Sequence, residues 1–199
     1  MNINPQKLTG NWKEGYALDL HTLSSTPIEN EIPYSKPKFD TVRTPIGEEL
    51  YNLKYYKECY RAETIGRCAA NFLKTDMSTW KINLIIPIPP SDTKRMFQPV
   101  YEIVTHIGRI CDLPVELQLL EKLKPTFQLK NIKDPAKRKE ILNGAFSIKK
   151  DSLSGKNILL FDDLYRSGAT LNAVCDILLN QGKAKNVNVL TVTKTRSNR

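Results

Sequence analysis

Asp162 and Asp163 are adjacent carboxylates, followed at once by Leu164-Tyr165-Arg166-Ser167-Gly168-Ala169-Thr170, a turn rich in small and hydroxylated residues. Ionised carboxylates accept hydrogen bonds from vicinal hydroxyls and attract divalent cations. A turn of small residues that opens a helix presents free N–H groups and the positive end of the helix dipole, which suits phosphate. Two acids beside a phosphate cradle would repel the anion unless they bound another part of the same ligand. The ligand these types and spacings suggest is a phosphorylated sugar, with its diol on the acids and its phosphate on the turn. The plainer alternative is an ordinary strand–turn–helix crossover with Ser167 as the helix cap.

These residues need a strand before them and a helix after them. Ile158-Leu159-Leu160-Phe161 is an unbroken apolar run, as expected of a strand covered on both faces. Leu171, Val174, Cys175, Leu178 and Leu179 follow at helical spacing, with Gly182 placed to stop that helix. Leu84-Ile85-Ile86-Pro87-Ile88 reads as a second buried strand. Ile65, Cys68, Ala69, Phe72 and Leu73 mark one helix face, and Val100, Ile103, Val104, Ile107 and Cys111 mark another. Val115 to Leu119 and Val187 to Val192 are further strand candidates. Strands alternating with helices predict an α/β domain, a mostly parallel twisted sheet flanked by helices. That domain is expected over 50–199. Residues 1–49 carry Pro27, Pro33, Pro37 and Pro45 and little periodicity, so a small irregular hood over the site is expected there. Residues 120–143 hold too little periodicity for a core element and read as a lid loop.

The run Asp162, Asp163, Ser167, Gly168, Ala169, Thr170 resembles the ribose-phosphate signature of the type I phosphoribosyltransferases. The resemblance implies that Asp162 and Asp163 hold the ribose hydroxyls, with Mg²⁺ as cofactor beside them, directly or indirectly. It implies that the turn of Tyr165, Arg166, Ser167, Gly168, Ala169 and Thr170 holds the 5-phosphate of phosphoribosyl pyrophosphate. Pro87-x-Pro89, Arg95 and Phe97-Gln98 are similar to the competence-protein ComF branch, which is amidophosphoribosyltransferase-like. By that resemblance the loop of Pro89, Ser91, Lys94 and Arg95 is substrate-binding, Lys94 and Arg95 meeting pyrophosphate and the prolines stiffening the loop. Thr126, Gln128, Arg138 and Asn143-Gly144-Ala145-Phe146 resemble that branch's flexible flap. Thr126 and Gln128 would order substrate, and Arg138 would act catalytically on the leaving pyrophosphate. Leu53-Lys54-Tyr55 resembles a further stretch of the same branch. Many members begin with a paired-cysteine zinc module; here Cys59, Cys68, Cys111 and Cys175 form no such pair, so zinc is not expected.

Arg166 stands where purine-salvage members carry an acid that accepts a proton from the base. Arginine stays protonated and cannot take that role. His21 and His106 are the two histidines; His106 reads as a surface residue and His21 as a candidate to approach the site. With 199 residues and 40% hydrophobic content, one well-buried core is expected. No apolar stretch has membrane-spanning length and Met1–Gly10 is polar, so a cytoplasmic protein with no membrane partner is expected. The formal charge of +9 favours an anionic partner. The reading is therefore a magnesium-dependent phosphoribosyltransferase using phosphoribosyl pyrophosphate, with a homodimer among the expected assemblies. Its alternative is a non-catalytic nucleotide- or nucleic-acid-binding protein linked to DNA uptake or repair.

Overall fold

Alternation along the strands explains the architecture. In β8 (Asn157–Tyr165), Ile158 and Leu160 pack into one apolar cluster while Leu159 and Phe161 pack into another. Successive side chains of a strand point to opposite faces, so an unbroken apolar run means a sheet covered on both sides. A computed structural model describes residues 1–28, 38–90, 96–123, 137, 141–142 and 144–196. The chain adopts the expected α/β architecture, a mostly parallel sheet flanked by helices.

The central sheet has the order β1-β2-β9-β8-β5, where β1 is Gln6–Lys7, β2 Glu14–Leu20, β5 Leu84–Pro87 and β9 Asn186–Lys194. Its pairs β2/β9, β9/β8 and β8/β5 are parallel, and β1 closes the edge antiparallel to β2. Helices α1 (Pro45–Tyr55), α2 (Arg61–Thr75) and α3 (Pro99–Cys111) cover one face. Helix α4 (Ala169–Asn180) covers the other through Leu171, Val174, Cys175 and Leu178. Two small antiparallel sheets are separate from the central one: β3 (Thr22–Ile28) with β4 (Lys38–Arg43), and β6 (Glu121–Lys122) with β7 (Phe146–Ser147), whose Phe146 is buried in the cluster on the α4 side.

Three expectations need correction. Residues 1–49 are not only a hood: β2 pairs with β9 inside the central sheet, with Ala17 and Leu18 fully buried in opposite clusters. The expected division at 49/50 cuts through α1, which starts behind Thr44; its Oγ1 accepts the Gly47 N–H at 3.0 Å. Only the β3–β4 hairpin stands apart as a hood would. The segment after α3 adds no full strand, since Val115 makes only an isolated parallel bridge to Ile85. Gly182 does not end α4 by a left-handed turn; that backbone falls on Lys183, at φ 59°. Its value is close approach, because a Cβ there would lie 2.8 Å from the Leu178 carbonyl oxygen.

Candidate functional site

Parallel pairing brings the carboxyl ends of four strands to one edge of the sheet. Leu20 lies level with Lys194, and Lys194 with Tyr165. Strand β5 ends earlier, with Pro87 opposite Phe161. Strand β8 therefore overhangs β5 from Asp162 to Tyr165, and both acids lie on that overhang. In open parallel sheets, ligands bind at this edge.

Alternation sends Asp162 toward the α4 side and Asp163 toward the α1 side. From the last turn of α1, Lys54 reaches Asp163, with Nζ 2.8 Å from Oδ2. Both side chains are largely covered, at 29% and 18% exposure, so the pair is screened less than a surface ion pair. Burial pulls the Lys54 pKa down, but the charge and hydrogen bond of Asp163 outweigh it, and the net shift is upward. Asp162 accepts the Asp163 backbone N–H on Oδ1 at 2.8 Å. Burial, and then the neighbouring Asp163 charge, push the Asp162 carboxyl well above the ordinary carboxylate range. The two acids are thus unlike: Asp163 is an anion matched by a lysine, while Asp162 resists ionisation.

The turn after the acids is shaped by Gly168 and Tyr165. Gly168 has φ 72° and is the N-terminal boundary of α4. A Cβ there would meet the Tyr165 ring at 2.8 Å. Glycine is required twice, by backbone conformation and by space. The first turn of α4 has no side-chain cap and no acidic residue, so it keeps the electropositive character of a helix start. The cap position belongs to Gly168, not Ser167. Arg166 and Ser167 are exposed and Ala169 and Thr170 are half-buried. Tyr165 is different: it is 6% exposed and packs in the core under the turn, with its ring against Gly168. Pro89 is buried just past the end of β5.

A second group arrives from the end of β2. His21 donates its backbone N–H to the Lys194 carbonyl at 2.7 Å, and its Nδ1 lies 3.1 Å from Thr193 Oγ1. Thr193 Oγ1 in turn lies 3.5 Å from the Asp163 carbonyl oxygen. Burial, helped by the Arg43 and Lys54 charges, lowers the His21 pKa, so the ring is neutral at neutral pH. Arg43 lies over the Tyr51 ring at 3.6 Å and 3.4 Å from Glu48 Oε2.

The expected residues Asp162, Asp163, Arg166, Ser167, Gly168, Ala169 and Thr170 thus gather at one sheet edge, with Pro89 beside them. Ser91, Lys94, Arg95, Thr126, Gln128 and Arg138 lie outside the described residues. So does most of the expected lid at 120–143, whose near end, β6, is tied to β7. Lys54 is a site residue that the sequence does not mark as one: it follows the buried Leu53 in the last turn of α1, and nothing near it in the chain points to Asp163. Half-buried His106 packs against Gly66 of α2 and belongs to the helix layer, not the site.

The acid pair does not fit a directly bound metal ion. One Asp163 oxygen is held by the Lys54 ammonium and one Asp162 oxygen by a backbone N–H. Among the described residues no three ligating side chains gather. No described helix is long and apolar enough to cross a membrane. Cys59 is exposed, Cys68 and Cys111 are half-buried and Cys175 is buried, all as free thiols.

No family model matches the chain. Competence protein ComFC of Bacillus subtilis (strain 168) is 38% identical over 142 residues, which are 67% of this chain and 55% of the relative. The chain thus spans about half the length of that curated relative. Among solved structures, adenine phosphoribosyl transferase from Trypanosoma brucei, in complex with AMP, pyrophosphate and ribose-5-phosphate, is similar at a TM-score of 0.52 and 11% identity, over 98% of this chain and 76% of its own. Adenine phosphoribosyltransferase from Thermoanaerobacter pseudethanolicus ATCC 33223 gives a TM-score of 0.40 at 14% identity, over 83% of this chain and 94% of its own. At such identities the first likeness speaks to the fold alone, and the second carries no argument.

Proposed function

We propose, from the premise that this chain fits the ComF-like, type I phosphoribosyltransferase-like family, that it binds phosphoribosyl pyrophosphate and transfers the phosphoribosyl group to an acceptor. The observation that carries the reading is the overhang of β8: two acids followed directly by an uncapped helix start at the ligand-binding edge of a parallel sheet. The N–H groups of the first turn of α4 would take the 5-phosphate. Asp162 and Asp163 would hold the two ribose hydroxyls. As pyrophosphate leaves C1′, positive charge develops on the sugar and the Asp163 carboxylate stabilises it. The C1′–oxygen bond to pyrophosphate breaks, and a bond from C1′ to the acceptor forms.

Lys94, Arg95 and Arg138 belong to this proposal as partners of the leaving pyrophosphate. Thr126 and Gln128 belong to it as substrate contacts. Magnesium enters as a companion of the ligand's diphosphate oxygens, where it would offset their charge; no step here runs through it. Arg166 cannot take a proton, so hypoxanthine and guanine are poor acceptor candidates, and an acidic or phosphorylated acceptor is favoured. The test is pyrophosphate release from phosphoribosyl pyrophosphate across a panel of acceptors, beside calorimetric binding of the donor itself. Acceptor-dependent release supports the transferase reading. Tight donor binding with no release from any acceptor favours a non-catalytic nucleotide-binding role. Absence of donor binding removes both.

A further inference from the structure

We propose that Lys54 is a positioning residue that supplies, from within the chain, the cation at Asp163, so that the sugar-phosphate end of the site works without a divalent metal. The proposal rests on the functional reading above for its ligand, and on the geometry of the acid pair for the rest.

Each carboxylate has two oxygens. Asp163 Oδ2 is engaged by Lys54 Nζ at 2.8 Å, and Asp162 Oδ1 by the Asp163 N–H at 2.8 Å. One oxygen of each acid is left with no partner among the described residues. That count matches a vicinal diol, which offers one O–H to each acid. Mg²⁺ at the same place would have to share the Asp163 carboxylate with the Lys54 ammonium and take most of its near-octahedral shell from water or ligand. A second cation on Asp163 would meet the Lys54 charge across a single carboxylate.

Lys54 is also fixed from behind. Its helix is anchored at Thr44, whose hydroxyl donates to the Leu20 carbonyl at 2.6 Å, at the carboxyl end of β2. Leu50 and Leu53, on the same helix, are fully buried in the core. The ammonium is therefore delivered to Asp163 by the packing of α1 and is not a loose surface lysine. It would set the orientation of the Asp163 carboxylate and leave Oδ1 facing the ligand.

The test uses the full chain, Lys54→Met and Lys54→Arg, with ribose 5-phosphate as the probe for calorimetry in EDTA and in Mg²⁺. The unmodified protein should bind with the same affinity in both. Lys54→Met should lose about tenfold or more in EDTA, as expected on losing the partner of a charged hydrogen bond, and should regain part of it in Mg²⁺. Lys54→Arg should keep metal-independent binding. Melting in millimolar Mg²⁺ without any sugar gives a separate readout. The unmodified protein should show no shift, and Lys54→Met should gain one as the vacated acids accept the metal. Unmodified protein that binds ribose 5-phosphate only with Mg²⁺, or that melts higher with Mg²⁺ alone, overturns the proposal, and this result needs no variant. If the unmodified protein ignores ribose 5-phosphate in both buffers, the sugar-phosphate reading fails instead, and the melting experiment still decides whether Lys54 stands in for a metal.

Discussion

Asp162 to Thr170 forms one wall of the site from a single strand–turn–helix, whereas Lys54 and His21 form the other by reaching the same strand end from α1 and β2. The first wall is largely backbone: a left-handed glycine, a helix start and a strand overhang. The second is side-chain charge and hydrogen bonding, with Lys54 meeting Asp163 across 109 residues of sequence. The difference separates two tasks. A phosphate can be held by N–H groups that no substitution except proline removes, provided the turn keeps its shape. The charge balance of the acids depends on helices that pack on the far side of the sheet. The first wall should therefore fail through conformation and the second through electrostatics.

Gly168→Val attacks the first wall. It places a branched side chain at φ 72° and into the Tyr165 ring, so stability should fall by about 1–3 kcal/mol. Ribose 5-phosphate affinity should fall with it. Urea denaturation and calorimetry measure the two effects. Stability within error of the unmodified chain would mean that the turn does not need this backbone.

Asp162→Asn attacks the balance between the walls. The folded chain holds the Asp162 proton over a range where the unfolded chain, with a carboxyl pKa of about 3.9, has lost it. Stability from this group is full below about pH 4 and is lost as pH rises, at no more than about 1.4 kcal/mol per pH unit. The asparagine variant should match the unmodified protein near pH 4 and exceed it at pH 7. Parallel stability profiles for the two proteins would contradict this.

His21→Gln sharpens the second wall with a smaller effect. The imidazole pKa is lowered by folding, so its contribution is intact above the ordinary value of about 6.5 and is lost as pH falls below it. The variant should show a flatter acid limb in a stability profile and no change at pH 8. A change of equal size at both pH values would make His21 a packing residue only.

Arg166→Ala should do least. Its side chain is exposed, so stability should stay within about 0.5 kcal/mol. Ribose 5-phosphate binding should also hold, because the backbone of the turn carries the phosphate. A large loss of affinity would show that the first wall uses side-chain charge after all.

What the sequence makes legible follows the same divide. The strand, acids, turn and α4 are contiguous, so periodicity and residue type read them almost as they stand. Only the cap residue shifts, from Ser167 to Gly168. Strand β2 is less legible because Asp19 interrupts its apolar run; its carboxylate accepts the Asn4 and Leu20 backbone N–H groups at 3.2 and 2.7 Å, which permits its burial. Thr191 and Thr193, fully buried in β9, carry no apolar signal either. Lys54 sits beside buried leucines, and nothing local marks it as the partner of an acid far along the chain. Tyr165 is the buried member of the motif: its ring packs in the cluster on the α4 side, against Gly168.

The most direct measurement is calorimetry of phosphoribosyl pyrophosphate with the unmodified chain and with Asp162→Asn/Asp163→Asn, both checked for folding by their melting transitions. The charge-assisted hydrogen bond to Asp163 contributes roughly 1.5–3 kcal/mol, so the folded double variant should lose at least about tenfold in affinity. Equal affinity in a folded double variant would contradict the assignment of the acid pair to the ribose.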